Sequence, residues 1–190
     1  MTSGLGGPFA NEGPELLAVS VRLEAPGDAA GVRAVELAAF SGPEEAAIVD
    51  RIRDEAPSGW QSLVAVDASG AIVGHLLMSP CPVEHAEGVV ATVLAIGPVA
   101  VVPALQFRGV GSALMFAATS LAVARAIPAL VLLGHPSYYP RFGFESARGV
   151  GLEPPAQAWP DAAWMARRLP AWDEAMRGTV RYPEAFEPLA

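Results

Sequence analysis

"VVPALQFRGVGSALM", residues 101–115, joins an uncharged apolar run to a turn with two glycines and then to helix-forming residues. Strand, glycine turn and helix in that order can seat a phosphate. The first amides of a helix lack partners of their own, the helix dipole adds positive potential there, and glycine lets the backbone come close. Gln106, Phe107, Arg108, Gly109, Val110, Gly111 and Ser112 stand at the junction, and Arg108 adds a formal positive charge. The same glycines would also serve a turn that is merely tight, so the spacing alone leaves both readings open.

Upstream of the turn, residues 88–107 carry no charged side chain, a length that would span a bilayer. Val89, Val90, Thr92, Val93, Ile96, Val99, Val101 and Val102 are β-branched, however, and Gly97, Pro98 and Pro103 interrupt the run. A buried strand with a bulge accounts for it better, and no membrane contact is expected. A net charge of −8 argues against a grip on nucleic-acid phosphates. The single cysteine, Cys81, follows "LLMSP", reads as a buried or rim residue, and permits neither an intrachain disulfide nor a Cys-x-x-Cys metal pair. No metal is expected, and a cytoplasmic setting fits. The 190 residues, 52% of them hydrophobic, suit one core. Residues 1–17 read as a flexible N-terminal arm without a secretory signal, and residues 18–190 as a single domain.

Alternation over 18–25 predicts a first strand. Asp28 is placed as the N-cap of an amphipathic helix that turns Val32, Val35, Leu37 and Phe40 to one side. A second helix, 43–54, opens on a proline and two acids. Residues 62–67 and 71–79 read as strands joined by a tight turn. Beyond the glycine turn come a helix over 109–126, a buried strand at 129–134, a loop at 135–143 and a further strand at 144–150. Residues 162–169, "AAWMARRL", suit a strand or a helix. The order predicts a mixed α/β domain whose central sheet is partly antiparallel.

Two phosphate-binding rivals fail on residues. "GVGSAL" begins like a dinucleotide fingerprint, but Leu114 stands where the third glycine belongs, and "IPALVLLGH" supplies no acid for a ribose. A P-loop needs a lysine after the glycines, and none follows.

Gln106, Gly109 and Gly111 instead match the Gln/Arg-x-x-Gly-x-Gly/Ala signature, and "GHPSYYPRFGF" (134–144) matches a later Tyr-x-x-x-Gly-Phe segment. With both motifs in order, and with "GTVRYPEAF" (178–186) after them, the chain resembles the GNAT superfamily of acetyl-CoA-dependent N-acetyltransferases over roughly residues 18–186. The likeness is greatest to a bacterial subgroup of small predicted N-acetyltransferases. It implies a GNAT-like α/β fold in which strand 4 splays from strand 5, with Gly97 and Pro98 suited to the break. It implies that the backbone of Val99 and Val101 pairs with pantetheine like an added strand, and that residues 107–112 hold the pyrophosphate. Acetyl-CoA is then a co-substrate, and the partner is a small-molecule or protein amine.

Acetyl transfer to an amine needs an oxyanion donor, a proton for the leaving thiolate and a route for the amine proton. A backbone N–H near Val99 or Ala100 is the expected oxyanion donor. By the family match, Tyr139, four residues before Gly143, is the expected proton donor, with Tyr138 expected to pack. Strand 4 lacks the glutamate that many members carry, so the base is open among His75, Glu84, His85, His135 and water. His135 is placed best, since it opens the tyrosine loop. Arg141 and Arg148 suit an anion or ordinary surface pairing, and Trp159, Trp164 and Trp172 suit core or subunit contacts, including those of a homodimer. The missing acid also leaves room for a GNAT-fold module that binds acyl-CoA without transfer, and the glycine turn alone for a purely structural domain.

Overall fold

The computed structural model describes residues 16–55 and 58–189; most of the expected arm, residues 1–15, lies outside them. Its last residue is tied down, because Leu17 donates its amide to the carbonyl of Arg108 at 2.9 Å. The strands are β1 (Ser20–Leu23), β2 (Gln61–Val66), β3 (Ile72–His85), β4 (Gly88–Val101), β5 (Ala129–Leu133), β6 (Glu145–Ser146), β7 (Leu152–Glu153), β8 (Trp164–Arg168) and β9 (Gly178–Val180). The helices are α1 (Ala29–Ala39), α2 (Glu44–Glu55) and α3 (Val110–Ala124).

One sheet runs β1-β2-β3-β4-β5-β8-β6, antiparallel except for β4 and β5, and β9 joins β3 at Val83 and Glu84. Period-two alternation gives it two apolar faces. Leu63, Leu76, Met78, Leu94, Leu130 and Leu132 point to one face and are covered by Val110, Leu114, Met115 and Ala118 of α3. On the other face, Val64 and Leu77 meet Val32 of α1 and Ile48, Val49 and Ile52 of α2, while Val93, Ala95 and Val131 meet Trp164. Each fully buried large side chain contributes about 1.5–3 kcal/mol.

The feature that positions the site is a bulge in β4. Leu76 pairs with Val99 and Met78 with Ile96, so Leu77 faces two residues, Gly97 and Pro98. The extra residue keeps Ile96, Val99 and Val101 on the α3 face and bends the strand. β5 pairs with β4 only at Leu94 and Ala95. From Ile96 to Val101 β4 is paired on the β3 side alone, so the expected splay is present.

Tertiary partners decide where the local pattern is open or misleading. "AAWMARRL" contains strand β8, because residues 164–168 pair with all five residues of β5. Of 144–150 only Glu145–Ser146 is strand, and a 3-10 turn, Arg148–Val150, follows. Asp28 does not cap α1 through its side chain. It ends a 3-10 turn with φ −86° and ψ −15°, not the extended backbone of an N-cap, and its carboxylate accepts the Ala25 amide at 2.7 Å and pairs with Arg22. In α1 the inward set is Val32, Val35 and Glu36, while Leu37 is 45% exposed. The i, i+3, i+4 spacing selects Glu36 over its neighbour.

Candidate active site

Gly109 stands at the N-cap of α3 with φ 89°, a left-handed conformation that a side chain would resist. Ala113 makes the first α3 hydrogen bond, to the Gly109 carbonyl at 3.0 Å, so the amides of Val110, Gly111 and Ser112 precede the helix's own ladder. Phe107 also has positive φ, 62°, and is 90% exposed. Such backbone in a bulky residue costs about 1–3 kcal/mol and is characteristic of functional turns. Gln106 reaches back, its Nε2 donating to the Val101 carbonyl at 3.2 Å.

A cleft of about 1210 Å³ opens where β4 and β5 part. Val99, Val101, Gln106, Phe107, Gly109, Gly111, Ser112, His135 and Tyr139 all line it. Val102 donates its amide to Val73 of β3 at 3.0 Å, so strand alternation turns the polar groups of Val101 and Val99 to the open side. It turns those of Ala100 toward β3, and Ala100, whose side chain is buried, pairs with His75. Val110, the first residue of α3, is likewise buried in the core, and Arg108 is outside the cleft lining.

The loop after β5 supplies the tyrosines. Gly134 donates its amide to the Ala163 carbonyl at 2.9 Å, which fixes the end of β5. Tyr138 N–H bonds to His135 O at 3.0 Å, and a 3-10 turn, Tyr139–Phe142, follows. The two rings meet edge to face with centroids 5.0 Å apart. Burial pushes the Tyr139 hydroxyl up to about 12, with the Tyr138 hydroxyl adding to the rise, so Tyr139 keeps its proton. Tyr138, read from sequence as a packing residue, brings its hydroxyl to the glycine turn, 2.8 Å from where a Gly111 side chain would begin. Arg141 stacks on the Tyr138 ring at 4.8 Å and donates Nε–H to its carbonyl at 2.9 Å. Arg148 is spent on Asp161 and Glu153.

The opposite wall was illegible in the sequence. Phe40 and Glu45 from the α1–α2 junction, Trp159, Tyr182 and Phe186 also line the cleft. Trp159 packs edge to face on Trp164 and Tyr182, and Tyr182 on Phe186. Trp164 is fully buried, Trp172 packs against its cluster, and Trp159 packs there while also lining the cleft, so the late tryptophans are engaged within the chain and give no support to subunit pairing.

His75 lies outside the cleft lining, fully buried, with Nδ1 2.5 Å from Glu36 Oε1 and Nε2 2.9 Å from Ser62 Oγ. Glu84 pairs with Arg181 at 2.7 Å. Cys81 is fully buried, and burial pushes its thiol up to about 12. Among the described residues no group of three or more His, Cys, Asp or Glu is placed to hold a metal ion, and no helix is long and apolar enough to cross a membrane.

A family model described as an acetyltransferase (GNAT) domain matches residues 20–147. The chain is 32% identical over 165 residues to the uncharacterized N-acetyltransferase YjhQ of Escherichia coli strain K12, covering 84% of this chain and 90% of that protein. It is 31% identical over 173 residues to the uncharacterized N-acetyltransferase YhbS of the same strain, covering 87% and 97%. The crystal structure of Escherichia coli YhbS in complex with CoA superposes with a TM-score of 0.79 at 28% identity, over 90% of this chain and 92% of that one. A GNAT family acetyltransferase from Brucella melitensis in complex with acetyl-CoA superposes with a TM-score of 0.70 at 28% identity, over 90% and 99%.

Proposed function

The chain belongs to the GNAT acetyltransferase family, and from that premise we propose that it transfers the acetyl group of acetyl-CoA directly to a primary amine in a ternary complex. The carrying observation is the open edge of β4 from Ile96 to Val101, continuous with the amides of Val110, Gly111 and Ser112 that precede the ladder of α3. The solved relatives hold CoA or acetyl-CoA, and these residues suit the same ligand. An amide-bearing pantetheine arm can add to the polar groups of Val99 and Val101 as a strand would. The amides of Val110, Gly111 and Ser112 suit a pyrophosphate, with Arg108 and Arg141 adding positive charge nearby. Acetyl-CoA supplies an activated thioester.

The amine nitrogen attacks the thioester carbonyl carbon, the C–S bond breaks, and the amine loses a proton. Val99 N–H, held by the sheet, is the proposed oxyanion donor. Ala100, turned to β3, cannot share that role. Tyr139 is the proposed donor of a proton to the departing thiolate, a role that its high pKa allows at neutral pH. His135, exposed on the rim, is the proposed carrier of the amine's proton, directly or through water. Direct transfer is favoured because Cys81, the chain's one thiol, is fully buried and protonated. We place the activity in the cytoplasm, with residues 18–190 acting as one unit.

The test pairs binding with turnover. Saturating acetyl-CoA should raise the melting temperature by mass action. Thiol release with an amine panel should exceed hydrolysis and give intersecting initial-velocity lines. No thermal shift would overturn the acetyl-CoA site, and parallel lines would overturn direct transfer.

A further inference from the structure

The two walls of the cleft differ in chemistry, and the difference identifies an acceptor. The glycine turn, α3 and Tyr138 belong to one face of the sheet, and Arg141, the one Arg or Lys among the described residues of the cleft lining, is stacked there on Tyr138. Across the parted strands the wall is made of Phe40, Trp159, Tyr182 and Phe186, with Glu45 as the one carboxylate in the lining among the described residues. Trp159 Nε1 and the Tyr182 hydroxyl are cut off from solvent and unpartnered among the described residues, so this wall offers an acceptor ring surface in place of hydrogen bonds.

Glu45 has no ion pair or hydrogen bond among the described residues, and Glu36 is close enough to be repelled by it. A half-buried carboxylate in an aromatic wall favours a cation. An acceptor carrying its own carboxylate would meet Glu45 with no cation on that wall to balance it. A polyamine or aminoglycoside would bring several charges and hydroxyls to one carboxylate and four rings.

We infer that the acceptor is an arylalkylamine: one primary ammonium held at Glu45, a flat apolar body against Phe40, Trp159, Tyr182 and Phe186, and no acidic group. This rests on the acetyl transfer proposed above.

Three matched amines test it on the full chain, with spermidine and kanamycin as polycationic controls. Phenethylamine against butylamine isolates the ring, and phenethylamine against phenylalanine isolates the carboxylate. The expected result is a kcat/KM for phenethylamine about tenfold or more above each of the other four. Glu45→Gln, checked for folding by thermal melting, should raise KM for phenethylamine by about tenfold and leave the acetyl-CoA Kd unchanged. Preference for any other amine, no advantage for the ring, or an unchanged KM in Glu45→Gln would overturn the inference. If acetyl-CoA shifts the melting temperature while phenethylamine is not acetylated, only the acceptor assignment falls. If acetyl-CoA gives no shift, the transfer reading falls and takes this one with it.

Discussion

A methyl group on Gly134 would stand 2.3 Å from Cε2 of Tyr139, so the ring lies directly on the backbone that ends β5. Two hydrogen bonds keep that backbone from yielding, from Gly134 N to Ala163 O at 2.9 Å and from Tyr138 N to His135 O at 3.0 Å. Gly134→Ala must therefore displace the ring. The expected cost is about 1–3 kcal/mol of stability and, with the hydroxyl moved, a loss of turnover larger than the loss of acetyl-CoA affinity. Denaturant unfolding and steady-state kinetics check both. A variant as stable and active as the parent would show that Tyr139 is not held by this contact.

Tyr139→Phe removes the proposed proton donor and little else. Turnover should fall about 10- to 100-fold while the acetyl-CoA Kd stays within about twofold. A hydroxyl with a pKa near 12 loses its proton only far above neutrality. The wild-type rate should therefore show no alkaline decline from this group below about pH 11. Equal turnover in wild type and Tyr139→Phe across pH would remove the tyrosine from the mechanism.

The glycine turn and the bulge were legible because each needs particular residues at particular spacings. Gly109 and Gly111 after a long β-branched run, and Gly97 with Pro98 inside it, announce themselves locally. The acceptor wall does not. Phe40, Trp159, Tyr182 and Phe186 come from separate segments, brought together only when α1, α2 and the chain end settle on the same sheet face. β8 was undecided for the same reason, since β5 is what makes it a strand. Glu36 was missed in the opposite way: helical periodicity points it inward, but a charged residue reads as solvent-facing until its buried partner, His75, is known.

Cys81 should be inert in the native state. Burial raises its pKa to about 12, leaving almost no thiolate at neutral pH and no approach for a reagent. A disulfide reagent such as DTNB should react with less than about 0.1 thiol per chain under native conditions and with one after unfolding in denaturant. Rapid native labelling that also abolishes acetyl transfer would reopen a covalent acyl intermediate.

The buried pair of Glu36 and His75 makes the sharpest pH prediction. Ser62 donates its one hydroxyl hydrogen to Glu24, so His75 Nε2, 2.9 Å from Ser62 Oγ, must carry the hydrogen between them. Nδ1 lies 2.5 Å from Glu36 Oε1, a contact in which a protonated Glu36 is the donor. Burial acts in the same direction, raising the Glu36 pKa against the opposing pull of His75, with nearby Glu45 adding to the rise. The native state thus keeps a proton that the unfolded chain gives up near the ordinary carboxylate value. Stability contributed by Glu36 is complete below that value, declines as pH rises toward the raised native pKa, and is level above it. Glu36→Gln, whose amide can donate to Nδ1, should abolish this slope and stay within about 1 kcal/mol of wild type at neutral pH. Glu36→Ala leaves Nδ1 unpaired in the core and should cost about 2–4 kcal/mol. Denaturant melts of the three proteins across pH decide it: equal losses in both variants, or a slope that survives Glu36→Gln, would mean that Glu36 is ionised in the native state.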